Sequence, residues 1–221
     1  MFARGKRFFR CFRLFTFDFC TQVTFELSQW NYGTSALWHS CKDEITMKKI
    51  FVIPVGPVKK VLLGYVTKEI QKFLPLRAEK GQEIPMPEGS FNARRGQYHS
   101  SVILRKLEAI KRRGGYGRVI GITTEDLYVP QLNFVFGEAG VMAGVAVISI
   151  CRLRQEFYGL KADSPLLHLR ALKEVVHELG HTCGLDHCPN NQCIMYFSND
   201  IGDTDGKGPG FCKDCKETLG I

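Results

Sequence analysis

His177-Glu178-Leu179-Gly180-His181-Thr182-Cys183-Gly184-Leu185-Asp186-His187 is the stretch whose reading decides both fold and chemistry. Two histidines four apart lie on one face of an α-helix, so both imidazoles reach one metal ion. Zinc favours such nitrogen donors in a tetrahedral arrangement. Glu178 is about a hundred degrees round the helix from His177, where it faces the metal site without being a ligand. Gly184 lets the chain turn sharply, and His187 folds back as the third ligand. Chance gives H-E-x-x-H in roughly one such sequence in a hundred. Requiring Gly184 and His187 as well lowers that to about 3 in 100,000. A lone helical histidine is usually satisfied by ordinary hydrogen bonds; three at this spacing are not explained that way. Three protein ligands leave one coordination position open, the mark of a catalytic site. The expected reaction is peptide-bond hydrolysis by water activated between the zinc and Glu178, the catalytic general base. The sequence assigns no substrate-binding residue.

The surrounding pattern supplies the helix. Ser164 is the expected N-cap, with Pro165 at the first helical position. Leu166, Leu169, Leu172, Val176 and Leu179 follow at helical spacing, and the helix is expected to end near Cys183, with Gly184 just beyond. Upstream, the apolar run Ile50 to Val55 reads as a buried strand, Val58 to Leu74 as a helix, and 81–89 as a loop rich in Pro and Gly. A second helix is expected over Gly96 to Arg112, ended by Gly114-Gly115. Arg118 to Thr123 and Val145 to Ile150 read as buried strands. The alternation in Leu132 to Phe136 suits a strand open on one side. This order predicts an α/β sheet sandwich. The last 35 or so residues read as mostly irregular, with too few apolar residues to fold unaided.

That tail holds Cys188, Cys193, Cys212 and Cys215, separated by four, eighteen and two residues. Two short-spaced pairs can grip one ion, and four protein donors make a closed, structural zinc site. Two disulfides are the alternative, favoured in an oxidising compartment. Because Cys188 directly follows His187, a zinc here would anchor the backbone that aims the third histidine. Zn²⁺ is thus the expected cofactor, two per chain, one catalytic and one structural. Cys151 and Cys183 read as buried thiols, and His39, His99 and His168 as surface or core residues. Tyr196 has two open roles, at the oxyanion or in the pocket wall.

The chain has 221 residues, 44% of them hydrophobic and 24% charged, enough for one domain with a sizeable core. Its formal net charge is +8, but the basic residues are spread, and the cysteine-rich tail is acidic on balance. No nucleic-acid partner is therefore expected. No stretch of about 20 apolar residues suggests a membrane span. The apolar stretch Phe8 to Phe19 is broken by Arg10, Arg13 and Asp18, unlike a secretory signal. The expectation is a cytoplasmic monomer that acts on a peptide or protein. Residues 1–46, rich in Phe and carrying Cys11, Cys20 and Cys41, show no sustained period, whereas a regular pattern begins at Met47. The domain is expected over 47–221, with 1–46 either an arm or sequence ahead of the true start. Two rival readings keep the metal and lose the enzyme: a weakly active or silent zinc protein of the same fold binding peptides, or a nucleic-acid binder using the cysteine-rich tail.

Residues 177–187 resemble the metzincin signature. The continuation Cys188-Pro-Asn-Asn-Gln-Cys-Ile-Met195, then Cys212-Lys-Asp-Cys215, resembles one branch of that clan, the archaemetzincins. Arg95 to Tyr98, Gly121 to Pro130 and Leu132 to Ala139 also look familial. The resemblance covers about residues 47–221. It implies a metzincin-like twisted mixed sheet, an active-site helix and a zinc-stapled C-terminal subdomain. It further implies that the four cysteines bind a second zinc and that Met195, otherwise readable as plain core, forms the Met-turn beneath the catalytic metal. It also implies that Leu132 to Phe136 forms the upper edge of the cleft, where an extended peptide adds as a strand. The loop from Met195 to Cys212 is one residue shorter than the family pattern, a departure of small energetic weight.

Overall fold

The computed structural model describes residues 49–221. The expectations for residues 1–46, for a start at Met47, and for His39, Cys11, Cys20 and Cys41 lie outside the described residues.

The centre is a five-stranded sheet. β1 (Ile50–Val55), β2 (Ala78–Lys80), β5 (Arg118–Thr123) and β8 (Val145–Ser149) run parallel, and β7 (Gly137–Gly140) closes one edge antiparallel to β8, in the order β2-β1-β5-β8-β7. A small second sheet joins β3 (Phe91–Asn92), β4 (Gln97–His99) and β6 (Leu127–Tyr128). Side chains alternate across a strand, so a strand covered on both faces is apolar throughout. Ile50, Val52, Ile120, Ile122, Ala146 and Ile148 face one side, under α1 (Lys60–Glu69) and α3 (Ser164–Thr182). Ile53, Val55, Val119, Val145 and Val147 face the other, under α2 (Ser100–Gly114). The result is a three-layer α/β sandwich.

On α3, Ala171, Leu172, Val175, Val176 and Leu179 are buried against the sheet. Removing each Val or Leu from water is worth roughly 1.5–3 kcal/mol, so this helix is a rigid mount for what it carries. Its N-cap is Asp163, whose Oδ1 accepts from the Leu166 amide at 2.9 Å; this corrects the assignment of Ser164, which occupies the first helical position instead. Its C-terminus falls where Gly184 predicts. Leu185 N donates to Gly180 O and Gly184 N to His181 O, with Gly184 at φ +89°, the paired bonds of a Schellman ending. The buried Arg118 side chain donates to Thr182 O at 2.7 Å, satisfying one more carbonyl of the last turn.

Other boundaries shift for identifiable reasons. α1 stops at Glu69 and continues as a short 3-10 turn over Ile70–Lys72. α2 begins at Ser100 because Gln97–His99 are drawn into the small sheet as β4. Leu132 to Phe136 is not a strand. Arg95 donates to Leu132 O and Asn133 O, each at 2.8 Å, and Gln97 donates to Asn133 O at 2.9 Å. Side chains therefore take the carbonyls that a strand partner would use, and only Val135 makes an isolated bridge, to Leu127. The true edge strand lies just downstream, at Gly137–Gly140. The tail is mostly irregular, as expected, and carries two short helices, α4 (Ile201–Gly206) and α5 (Lys213–Leu219). No described helix is long and apolar enough to cross a membrane.

Candidate metal centre

α3 and the turn behind it bring His177, His181 and His187 together, with one ligand-type atom of each within 4.8 Å of the others. His177 and His187 rings are 5.4 Å apart, and the His181 ring stands 4.7 Å from each. Each helical imidazole is oriented by the backbone. His177 Nδ1 lies 2.8 Å from Ile194 O, and His181 Nδ1 lies 2.7 Å from Leu185 O. A carbonyl only accepts, so both Nδ1 atoms donate and both Nε2 atoms carry lone pairs. Those two Nε2 atoms face each other at 3.1 Å. Two lone pairs at that distance repel unless a cation lies between them. Tetrahedral zinc with bonds of about 2.0–2.1 Å would space two nitrogens by roughly 3.3 Å, so the donor set fits the ion. Burial also holds all three histidines below their ordinary pKa, His177 furthest, which keeps them neutral and able to ligate.

Glu178 is buried against the edge strand. A Cβ added to Gly137 would lie 2.6 Å from Glu178 Oε1, so β7 must present a glycine for this carboxylate to fit. Burial, reinforced by the neighbouring Glu174, pushes the Glu178 carboxyl well above its usual range when no metal is present. Met195 is fully buried beneath the helix. A Cβ on Gly180 would collide with the Met195 sulfur and come within 3.2 Å of Met195 Cε and Phe211 Cε1. Gly180→Ala is therefore expected to destabilise the protein by about 1–3 kcal/mol, as measured by chemical denaturation.

The family model for peptidase family M54 matches residues 47–220. The chain belongs to peptidase family M54. Among curated relatives, the archaemetzincin of Methanocaldococcus jannaschii is 40% identical over 175 residues, 79% of this chain and 94% of its own. That of Pyrococcus furiosus is 43% identical over 176 residues, covering 77% and 91%. Among solved structures, archaemetzincin from Archaeoglobus fulgidus, complexed with malonate, superposes with a TM-score of 0.67 at 36% identity, covering 77% of this chain and 99% of that one. A zinc-dependent peptidase from Methanocorpusculum labreanum gives 0.72 at 33% identity, covering 77% and 99%. The metzincin-type α/β fold and the zinc metallopeptidase activity are those of the M54 family.

In this M54 chain a second cluster sits beside the first. Cys188 Sγ and Cys212 Sγ are 3.8 Å apart, Cys193 Sγ and Cys215 Sγ 3.7 Å, and all four thiols are free. Four thiolates at about 2.3 Å around one zinc would be spaced by roughly 3.8 Å, so this set also fits. The two clusters share backbone. Cys188 N donates to Met195 O at 2.9 Å, while Ile194, between Cys193 and Met195, accepts from His177.

The cleft at the histidines encloses about 900 Å³. Gly137, Glu138 and Ala139 of the edge strand form one wall, and Phe197, Ser198 and Asn199 line it after Met195. Tyr196 does not line it, so the pocket-wall role open to that residue passes to its three successors. Leu132 to Phe136 borders the cleft, as a loop rather than a strand. His99 lines it too and stacks on Tyr128, and His168 stacks on Tyr65. Cys183 is buried and Cys151 only half-buried. Sequence reasoning missed Gly137, Glu138 and Glu174. Glu174 was findable, because it precedes Glu178 by four residues and so shares its helix face. Gly137 was not, since Gly-Glu-Ala-Gly carries no strand signal.

Proposed function

We propose that the chain hydrolyses peptide bonds at a zinc ion held by His177, His181 and His187, with Glu178 as general base. One observation carries the reading: two Nε2 lone pairs facing each other at 3.1 Å, with His187 beside them and Glu178 on the same helix. Zinc bound there supplies Lewis acidity, activating water and polarising the scissile carbonyl. Glu178 takes the proton from the attacking water and delivers it to the departing amine. Its burial withdraws bulk water and fixes its carboxylate against Gly137. β7 is the outer strand of its sheet, so an extended substrate can add beside it and lie across the three histidines. Ile194 O and Leu185 O hold the two helical imidazoles in one tautomer throughout.

Cys188, Cys193, Cys212 and Cys215 hold a second, structural zinc, giving two per chain. Residues 47–221 form the peptidase domain, which acts on peptides or proteins as a monomer. Elemental analysis of the purified chain should return about two zinc ions. Stripping the metal should abolish cleavage of a fluorogenic peptide library, and added zinc should restore it. Undiminished cleavage by the stripped protein would refute the assignment.

A further inference from the structure

Among the described residues, Ser198 Oγ is buried with no hydrogen-bond partner, and Lys207 Nζ is buried in an ion pair that is not aligned as a hydrogen bond. Ser198 lines the cleft, and Lys207 is ion-paired to Glu174, which also lines it. The Lys207 side chain is 0% exposed, with Nζ 3.1 Å from Glu174 Oε1. The Thr204 hydroxyl donates to that same oxygen, also at 3.1 Å. Both contacts fall on Oε1, and among the described residues no hydrogen bond falls on Oε2. Arg170 and Lys173 fix the segment that carries Lys207. Arg170 bonds both carboxylate oxygens of Asp205, at 2.7 and 2.6 Å, and Lys173 donates to Thr204 O and Asp205 O, each at 2.9 Å. Glu174 precedes His177 by three residues and Glu178 by four, so it lies one turn, about 5.4 Å, along the same helix face. A side chain next to the scissile bond spans that distance.

We propose that Glu174, Ser198 and Lys207 form the pocket that reads one substrate side chain beside the cleaved bond, and that the pocket selects a neutral primary amide, glutamine or asparagine. The inference rests on the peptidase reading above. A lone carboxylate at position 174 would select lysine or arginine. Lys207 cancels that charge, so an incoming cation would be desolvated without a net countercharge. An acidic side chain would meet Oε2 as a like charge. An apolar one would leave Oε2 and Ser198 Oγ unpaired. A primary amide satisfies both, its N–H donating to Oε2 and its carbonyl accepting from the Ser198 hydroxyl. Pockets built on such bonds reject analogues that lack them far more strongly than apolar pockets reject a missing methylene.

The test uses the full chain loaded with zinc and peptides varied at each position flanking the bond, with the cut located by mass spectrometry. At one position Gln or Asn should exceed Leu and Arg in kcat/KM by about tenfold or more. Lys207→Met should shift the Arg-to-Gln ratio at that position by about tenfold toward Arg, and a ratio cancels any loss common to all substrates. The double variant Glu174→Gln/Lys207→Met removes both charges and should abolish the new preference for Arg. Should Lys207→Met fail to fold, Glu174→Gln reads the pair from the other side and should move the preference toward Asp and Glu. A wild-type preference for Arg or Leu at every position, or ratios unmoved in a folded variant, would overturn the pocket and leave the peptidase reading standing. No cleavage of any peptide would overturn both.

Discussion

Glu178→Gln should lower kcat/KM for every cleaved peptide by about 10²- to 10⁴-fold, with zinc content unchanged. Glutamine keeps the size of the side chain, so it fits the space beside Gly137, but it cannot accept the proton of the attacking water. The stability of the metal-free protein should move the other way. Burial raises the folded-state pKa of Glu178 above its ordinary value of 4.5. A group raised in this way stabilises fully below its unfolded pKa and loses that stabilisation as pH rises through the folded value. At neutral pH the wild-type carboxyl is therefore a liability that glutamine removes. Metal-free Glu178→Gln should melt higher than metal-free wild type at pH 7, and the gap should close below about pH 4. Undiminished cleavage by the zinc-loaded variant would contradict the general-base role.

Cys212→Ser should have the second large effect, on both clusters at once. It removes one of four sulfur donors, so zinc content should fall from about two per chain toward one, and the tail should lose several kcal/mol of protection against unfolding. The loss should spread to activity through shared backbone. Cys193 Sγ accepts from Cys212 N at 3.3 Å, Cys188 N bonds Met195 O, and Ile194 O orients His177. A loosened tail therefore blurs the aim of His177 and releases the turn that carries His187. Amide hydrogen exchange over 188–221, read together with metal content and peptide cleavage, measures all three. A variant with two zinc ions and unchanged exchange would remove the second metal from the account.

What could be read from the sequence follows physical rules with short range. His177, His181 and Glu178 are related by helical geometry, Gly184 by its left-handed backbone, and the strands Ile50–Val55, Arg118–Thr123 and Val145–Ser149 by continuous apolar burial. One misreading is local, the N-cap at Asp163 rather than Ser164; the larger ones come from contacts between distant segments. Leu132 and Asn133 lose strand pairing to Arg95 and Gln97, more than thirty residues away. Gln97–His99 leave the predicted helix to join Leu127 and Tyr128. Gly137 appears as a requirement only once Glu178 is seen pressing on it. The Glu174–Lys207 pair, 33 positions apart, was equally hidden, because a lysine between two glycines in an irregular tail gives no sign of being buried.

The most direct test is a crystal structure of the full chain with an anomalous difference map at the zinc absorption edge. Two peaks are expected. One should lie about 2.0–2.1 Å from a nitrogen of each of His177, His181 and His187 with no fourth protein donor, and the other about 2.3 Å from the four Sγ atoms. A first peak displaced from His187, or one closed by a fourth protein side chain, would contradict a hydrolytic centre.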